Sequence, residues 1–195
     1  MEYSWRMLTF VLIGVAIVFA AVGLLFNRLV GLRNRAASAW SDIDVQLKQR
    51  HDLIRNLVET VTGYATHERT TLEEITRARA DAEGARRAGA PGGSGAAESH
   101  LSHGIGRLFA LAEAYPDLRA SDGFRQLHQS LVDVEDKLQN ARRYYNAVVR
   151  DLNTRIQSFP DLIVAGLFRF EEREFFELDS AAEAAVPRVD LGAST

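Results

Sequence analysis

The chain has 195 residues, 47% of them apolar, with a net charge of −3 and a pI near 6.0. That length holds one membrane anchor and one helical domain with a real core, and little more. Its arginines are interleaved with Glu and Asp, which excludes nucleic acid as the expected partner, and the lack of Cys excludes a disulfide framework, thiol catalysis and Cys-ligated zinc.

After a short N-terminal flank (1–6), residues 7–26 read MLTFVLIGVAIVFAAVGLLF without a charge. At about 1.5 Å per helical residue this run covers the ~30 Å of a hydrocarbon core. Thirteen of the twenty residues are Leu, Ile, Val or Phe, so insertion is favourable. The run exceeds a usual signal-peptide core, only Arg6 precedes it, and no A-x-A triplet closes it, so it is expected to remain as an anchor in the lipid bilayer. Arg28, Arg33 and Arg35 follow it closely, against Arg6 alone before it. The positive-inside rule then puts the C-terminal domain in the cytoplasm.

The stretch 36–79 carries apolar residues at Ala36, Trp40, Ile43, Leu47, Ile54, Val58, Val61, Ala65, Leu72 and Ile75, in alternating steps of three and four. This is a seam for another helix. Gly63 is its only breaker. Thr70 with Glu73, and Thr71 with Glu74, fit a capping box and argue for a turn and a second helix, whereas the unbroken phase argues for one continuous helix. Both arrangements stay open: four helices up and down, or three long ones.

Residues 88–96, AGAPGGSGA, are expected to form a flexible loop. A third helix follows with Leu101, Ile105, Leu108, Ala112 and Tyr115 on one stripe, and Pro116 ends it. Ser121 or Asp122 can cap the fourth helix. Its stripe of Phe124, Leu127, Leu131, Val134, Leu138, Ala141, Tyr145, Val148, Leu152 and Ile156 holds over more than four heptads, coiled-coil fashion. Beyond Pro160 the chain is apolar without a clear helical period. The segment 162–176 either folds back over the bundle or presents Phe168, Phe170, Phe175 and Phe176 as an interaction patch. Residues 179–195 have nothing to bury and are expected to be disordered.

Catalytic motifs are missing. His67-Glu68 begins like H-E-x-x-H, but Thr71 stands where the second His belongs. His100 and His103 lack a third ligand, and the Gly-rich stretch lacks the Lys of a P-loop. No catalytic, metal or cofactor residue is therefore assigned, and the chain is not expected to be an enzyme. One polar constellation stands out: Arg50 and His51 interrupt the apolar seam, with Asp44 at its flank, and Glu135, Arg142, Asn146 and Asn153 line the fourth helix beside its apolar stripe. Seam phase pairs His51 with Asn146. Such groups form either a satisfied polar layer that fixes helix register or a ligand site in the bundle core.

The run AWSDIDVQLKQRHDLIRNLVETVTGYATHERTTLEEITRAR, with the later EAYPDLRAS, ARRYYNAVVRDLNTRIQSFP and LIVAGLFRFEEREFF, resembles the LemA family of bacterial membrane proteins, over residues 26–177. The resemblance implies an all-α fold with an N-terminal transmembrane helix, an elongated antiparallel helical bundle over 27–178, and a domain facing the cytoplasm at the inner membrane. It implies no activity. Members are considered alongside membrane metalloproteases and magnetosome biogenesis, which points to membrane or membrane-associated proteins, a membrane protease among them, as partners. The function expected is a membrane-anchored scaffold or protein-interaction module; the alternative is a binding module for a small polar ligand or peptide, using Arg50, His51, Arg142 and Asn146.

Overall fold

The computed structural model describes residues 2–65 and 67–177, and the tail expected over 179–195 lies outside them. The described residues are helical without strands: α1 (Glu2–Thr62), α2 (Arg69–Ala88), α3 (Pro91–Ala112), α4 (Pro116–Ala120), α5 (Asp122–Gln157) and α6 (Asp161–Leu167). Residues 7–26 form the apolar part of α1, exposed except for the half-buried Val22, Leu25 and Phe26, and α1 is long and apolar enough to cross a membrane.

The chain breaks at Gly63, which decides against three long helices. Both Tyr64 and Ala65 return their N–H groups to the Val61 carbonyl and close α1. The unbroken phase misleads because α2 carries its own buried stripe, Leu72, Ile75, Ala78 and Ala82, in step with that of α1. Neither capping box is used. Helix α2 starts at Arg69 behind Glu68, which makes no side-chain cap, so Thr70 is already inside the helix.

The flexible loop expected over 88–96 is a correction. Gly89 caps α2 in the left-handed conformation at φ 75°, and Pro91 opens α3 in its first turn, where its missing N–H costs nothing. The small residues that follow are helical because they pack. The Ser94 hydroxyl donates to the Ala85 carbonyl, and a Cβ on Gly95 would overlap the Glu177 carbonyl oxygen. Helix α3 stops at Ala112, before the expected Tyr115, and Pro116 starts the short α4. Ser121 caps α5 as expected, its hydroxyl accepting from the Phe124 N–H at 3.3 Å.

The described residues divide into two compact units, one of residues 2–49 and 132–175 and one of 50–131 and 176–177. In the first, Leu29, Ala36, Ala39, Ile43 and Leu47 of α1 are buried, as are Val134, Leu138, Tyr145, Val149 and Leu152 of α5 and Val164 and Ala165 of α6. In the second, Ile54, Leu57 and Val61 form a core with Leu72 and Ile75 of α2, Leu101 and Leu108 of α3, and Phe124 and Leu131 of α5. Gly104 brings α3 close to α2, where an added Cβ would stand 3.3 Å from Ile75.

Candidate functional site: a buried charge cluster

Arg50 and His51 sit where the stripe of α1 demands burial, and each is only 1% exposed. A charge there is tolerable only with partners at hydrogen-bond distance. Glu98 of α3, wholly buried, supplies them. Its Oε2 accepts from Arg50 Nη1 at 2.5 Å and its Oε1 faces His51 Nε2 at 2.6 Å. Arg50 Nη2 donates to the Ser102 hydroxyl at 2.7 Å, and that hydroxyl donates on to the Glu98 carbonyl. On the other side of the ring, His51 Nδ1 lies 2.8 Å from Glu83 Oε2 of α2.

Glu83 is held in turn by Arg86, through Nε at 3.1 Å and Nη2 at 3.0 Å, and by Arg87. The Arg86 hydrogen bonds, aided by His51 and Arg87 against the opposing effect of burial, hold the Glu83 carboxyl far below the usual carboxylate range. Both imidazole nitrogens therefore face carboxylate oxygens. The cluster ties α1, α2 and α3 together through side chains on all three.

The carboxylates, the imidazole and both Arg50 Nη groups are engaged within the cluster or with Ser102. No hydroxyl or thiol stands beside the imidazole as a nucleophile among these contacts, and no group of three or more His, Asp or Glu able to hold a metal occurs among the described residues. A ligand placed between Arg50, His51 and Glu98 would have to replace contacts already at 2.5–2.6 Å.

The partners differ from those expected. Both nitrogens of His51 are taken by Glu83 and Glu98, so the pairing with Asn146 is overturned. Asp44, Glu135, Arg142, Asn146 and Asn153 lie in the other unit, each half-buried. There Asn153 donates to the Arg173 carbonyl and accepts from the Arg173 N–H, both at 2.9 Å. The Tyr145 hydroxyl donates to the Glu174 carbonyl at 2.9 Å, and burial pushes its phenol pKa up. His67, His100 and His103 are exposed.

The aromatic patch is mostly packed, which favours the folded-back reading. Phe176 is fully buried, Phe170 and Phe175 are half-buried, and Phe168 is exposed. Phe168 lies tilted and Phe170 edge-on against Phe26, ring centroids 4.7 and 5.8 Å apart, and Arg33 lies 5.5 Å over the Phe170 ring.

Sequence reasoning missed Glu98, although the signal was present. Ser94 and Glu98 extend the α3 stripe of Leu101, Ile105, Leu108 and Ala112 backward in steps of four and three, so the acid falls on the buried face.

These features define an all-α protein with, among the described residues, one helix long and apolar enough to cross a membrane and, within one compact unit, an internal ion-pair cluster. The LemA family model matches residues 39–191, and the chain belongs to that family. Among its relatives, magnetosome protein MamQ of Magnetospirillum gryphiswaldense is 24% identical, the match covering 83% of this chain and 68% of the relative. Magnetosome protein MamQ 2 of Paramagnetospirillum magneticum is 23% identical over the same shares. Protein LemA of Metamycoplasma hominis is 26% identical over 80% of this chain and 74% of the relative.

Proposed function

We propose that the chain is a single-pass membrane protein whose helical domain binds other proteins and performs no reaction of its own. The observation that carries this reading is the Arg50–Glu98–His51–Glu83 cluster, in which the carboxylates, both imidazole nitrogens and the Arg50 Nη groups are spent on partners within the protein. Binding is then left to the outer surface. The uncharged run 7–26 supports the anchor, and three arginines after it against one before it support a cytoplasmic domain at the inner membrane of a bacterial cell. The relatives named as magnetosome proteins favour a membrane-associated assembly as the setting. Membrane proteins, a protease among them, are the class of partner proposed.

The test is photo-crosslinking in intact membranes from the exposed apolar positions Val45 and Tyr144. Discrete protein adducts are expected, and they should persist when Arg50, His51 and Glu98 are all made apolar. Loss of all adducts in that variant, or a small molecule released from the parent and missing from the variant, would overturn the reading in favour of a ligand module. Orientation is tested separately with single Cys residues at Tyr3 and His103: a membrane-impermeant maleimide should label the first and spare the second on intact cells.

A further inference from the structure

Helix α6 and the turn before it expose Phe159, Leu162, Ile163, Leu167 and Phe168, with Ile163 at 63% and Leu167 at 70%. A five-residue apolar surface of this kind needs a cover. Its position indicates which one, because Phe168 packs on Phe26, the last residue of the apolar run in α1. The exposed side chains of α6 thus stand beside the end of the span, at the depth where hydrocarbon gives way to headgroups.

Next to them, within the same unit, lies a cleft of about 790 Å³ lined by Arg28, Arg35, Arg155, Asp151 and Asp161 among others. Arg28 stands two residues beyond Phe26, or about 3 Å along the helix, and Gly31 about 7.5 Å. The headgroup layer on each side of a bilayer is roughly 5–8 Å thick, so this end of the cleft falls inside it. The cleft carries both signs of charge. Asp161 is 2% exposed; its Oδ2 accepts from Arg155 Nη1 at 3.3 Å, while its buried Oδ1 has no hydrogen-bond partner among the described residues. A buried carboxylate oxygen calls for a donor. Cations beside an acceptor short of a donor match a headgroup that has a phosphate and a primary amine.

We infer that α6 lies in the bilayer interface and that the cleft takes the headgroup of a phospholipid of the phosphoethanolamine class, its phosphate toward Arg28 and its ammonium toward Asp161. The inference rests on the proposed anchor. The chain would then meet the membrane twice, through α1 and through α6, which fixes the angle of the domain to the bilayer as a single span does not.

The lack of Cys allows single nitroxide labels at Val15, Leu167 and Val45 of the full chain in phosphatidylethanolamine/phosphatidylcholine nanodiscs. Labels at Val15 and Leu167 should be relaxed by oxygen and shielded from a nickel chelate, and Val45 the reverse. A nickel-accessible Leu167 with an oxygen-accessible Val15 overturns the inference and leaves the anchor standing; nickel access at both overturns the anchor as well. In native mass spectrometry from equimolar nanodiscs, lipid retained by the parent should be enriched in the ethanolamine form by about tenfold, the scale of one charge-assisted hydrogen bond. Asp161→Asn should abolish the enrichment, and Arg28→Gln, at an exposed position, should lower retention of both lipids. Equal retention of the two lipids by the parent, or enrichment unchanged by Asp161→Asn, refutes the headgroup assignment.

Discussion

In the unit of residues 2–49 and 132–175, neutral side chains hold main chain beside a single buried-acid ion pair, Arg155 with Asp161: Asn153 holds both backbone groups of Arg173, and Tyr145 holds the Glu174 carbonyl. In the unit of residues 50–131 and 176–177 a cluster of charged side chains binds its own members, Glu98 between Arg50 and His51, and His51 between Glu98 and Glu83. Neutral contacts of the first kind locate a segment that has no helix of its own and are each worth about 1 kcal/mol. Charged contacts of the second kind are cooperative, because every member is needed to offset the desolvation of the others. The first unit should therefore fail locally when cut, and the second as a whole.

The largest expected effect comes from Glu98→Leu, which strands Arg50 and His51 inside the core. Removing one partner of a buried ion pair costs about 3–5 kcal/mol, readable by denaturant unfolding of the full chain in micelles. A cost under 1 kcal/mol would erase the contrast between the units. Next comes Gly95→Ala, whose Cβ would meet the Glu177 carbonyl oxygen, a backbone atom that moves only if its segment shifts with it. A loss of about 1–3 kcal/mol is expected for such overpacking, with protease cleavage appearing around Phe176 as the segment lifts off α3.

Asn153→Ala should cost about 1–3 kcal/mol and raise hydrogen exchange at Arg173 and Glu174 while leaving α2 and α3 protected. Spread of the exchange through α2 would break the claim that the first unit fails locally. The smallest effect is the pH dependence carried by Glu83. Its folded carboxyl is depressed, so its contribution is complete above the ordinary value of 4.5 and is lost as pH falls below it. Between pH 7 and pH 3 the parent's unfolding midpoint should drop more steeply than that of Glu83→Gln. Parallel curves would remove Glu83 from the cluster's energetics.

Much of the fold was legible because burial repeats with helical period. All ten positions of the α1–α2 stripe and all ten of the α5 stripe are buried or half-buried. Arg50 and His51 announced themselves by breaking such a stripe. Their partners did not, because a single acid such as Glu98 on a Gly/Ala-rich helix looks solvated until the helix is known to begin at Pro91. Treating 88–96 as a loop hid the buried face that Ser94 and Glu98 share. Pairing His51 with Asn146 failed for a related reason, since seam phase says which residues are buried and not which helix they meet.

The charges of the cluster serve one another and hold α1, α2 and α3 together. Unfolding of the triple variant Arg50→Met, His51→Leu, Glu98→Leu tests this most directly, since that variant removes every charge whose partner is lost and leaves Glu83 held by Arg86 and Arg87. The account predicts a fold within about 1 kcal/mol of the parent or more stable than it, the behaviour of buried ion clusters replaced whole. A triple variant at least as unstable as Glu98→Leu alone would contradict it.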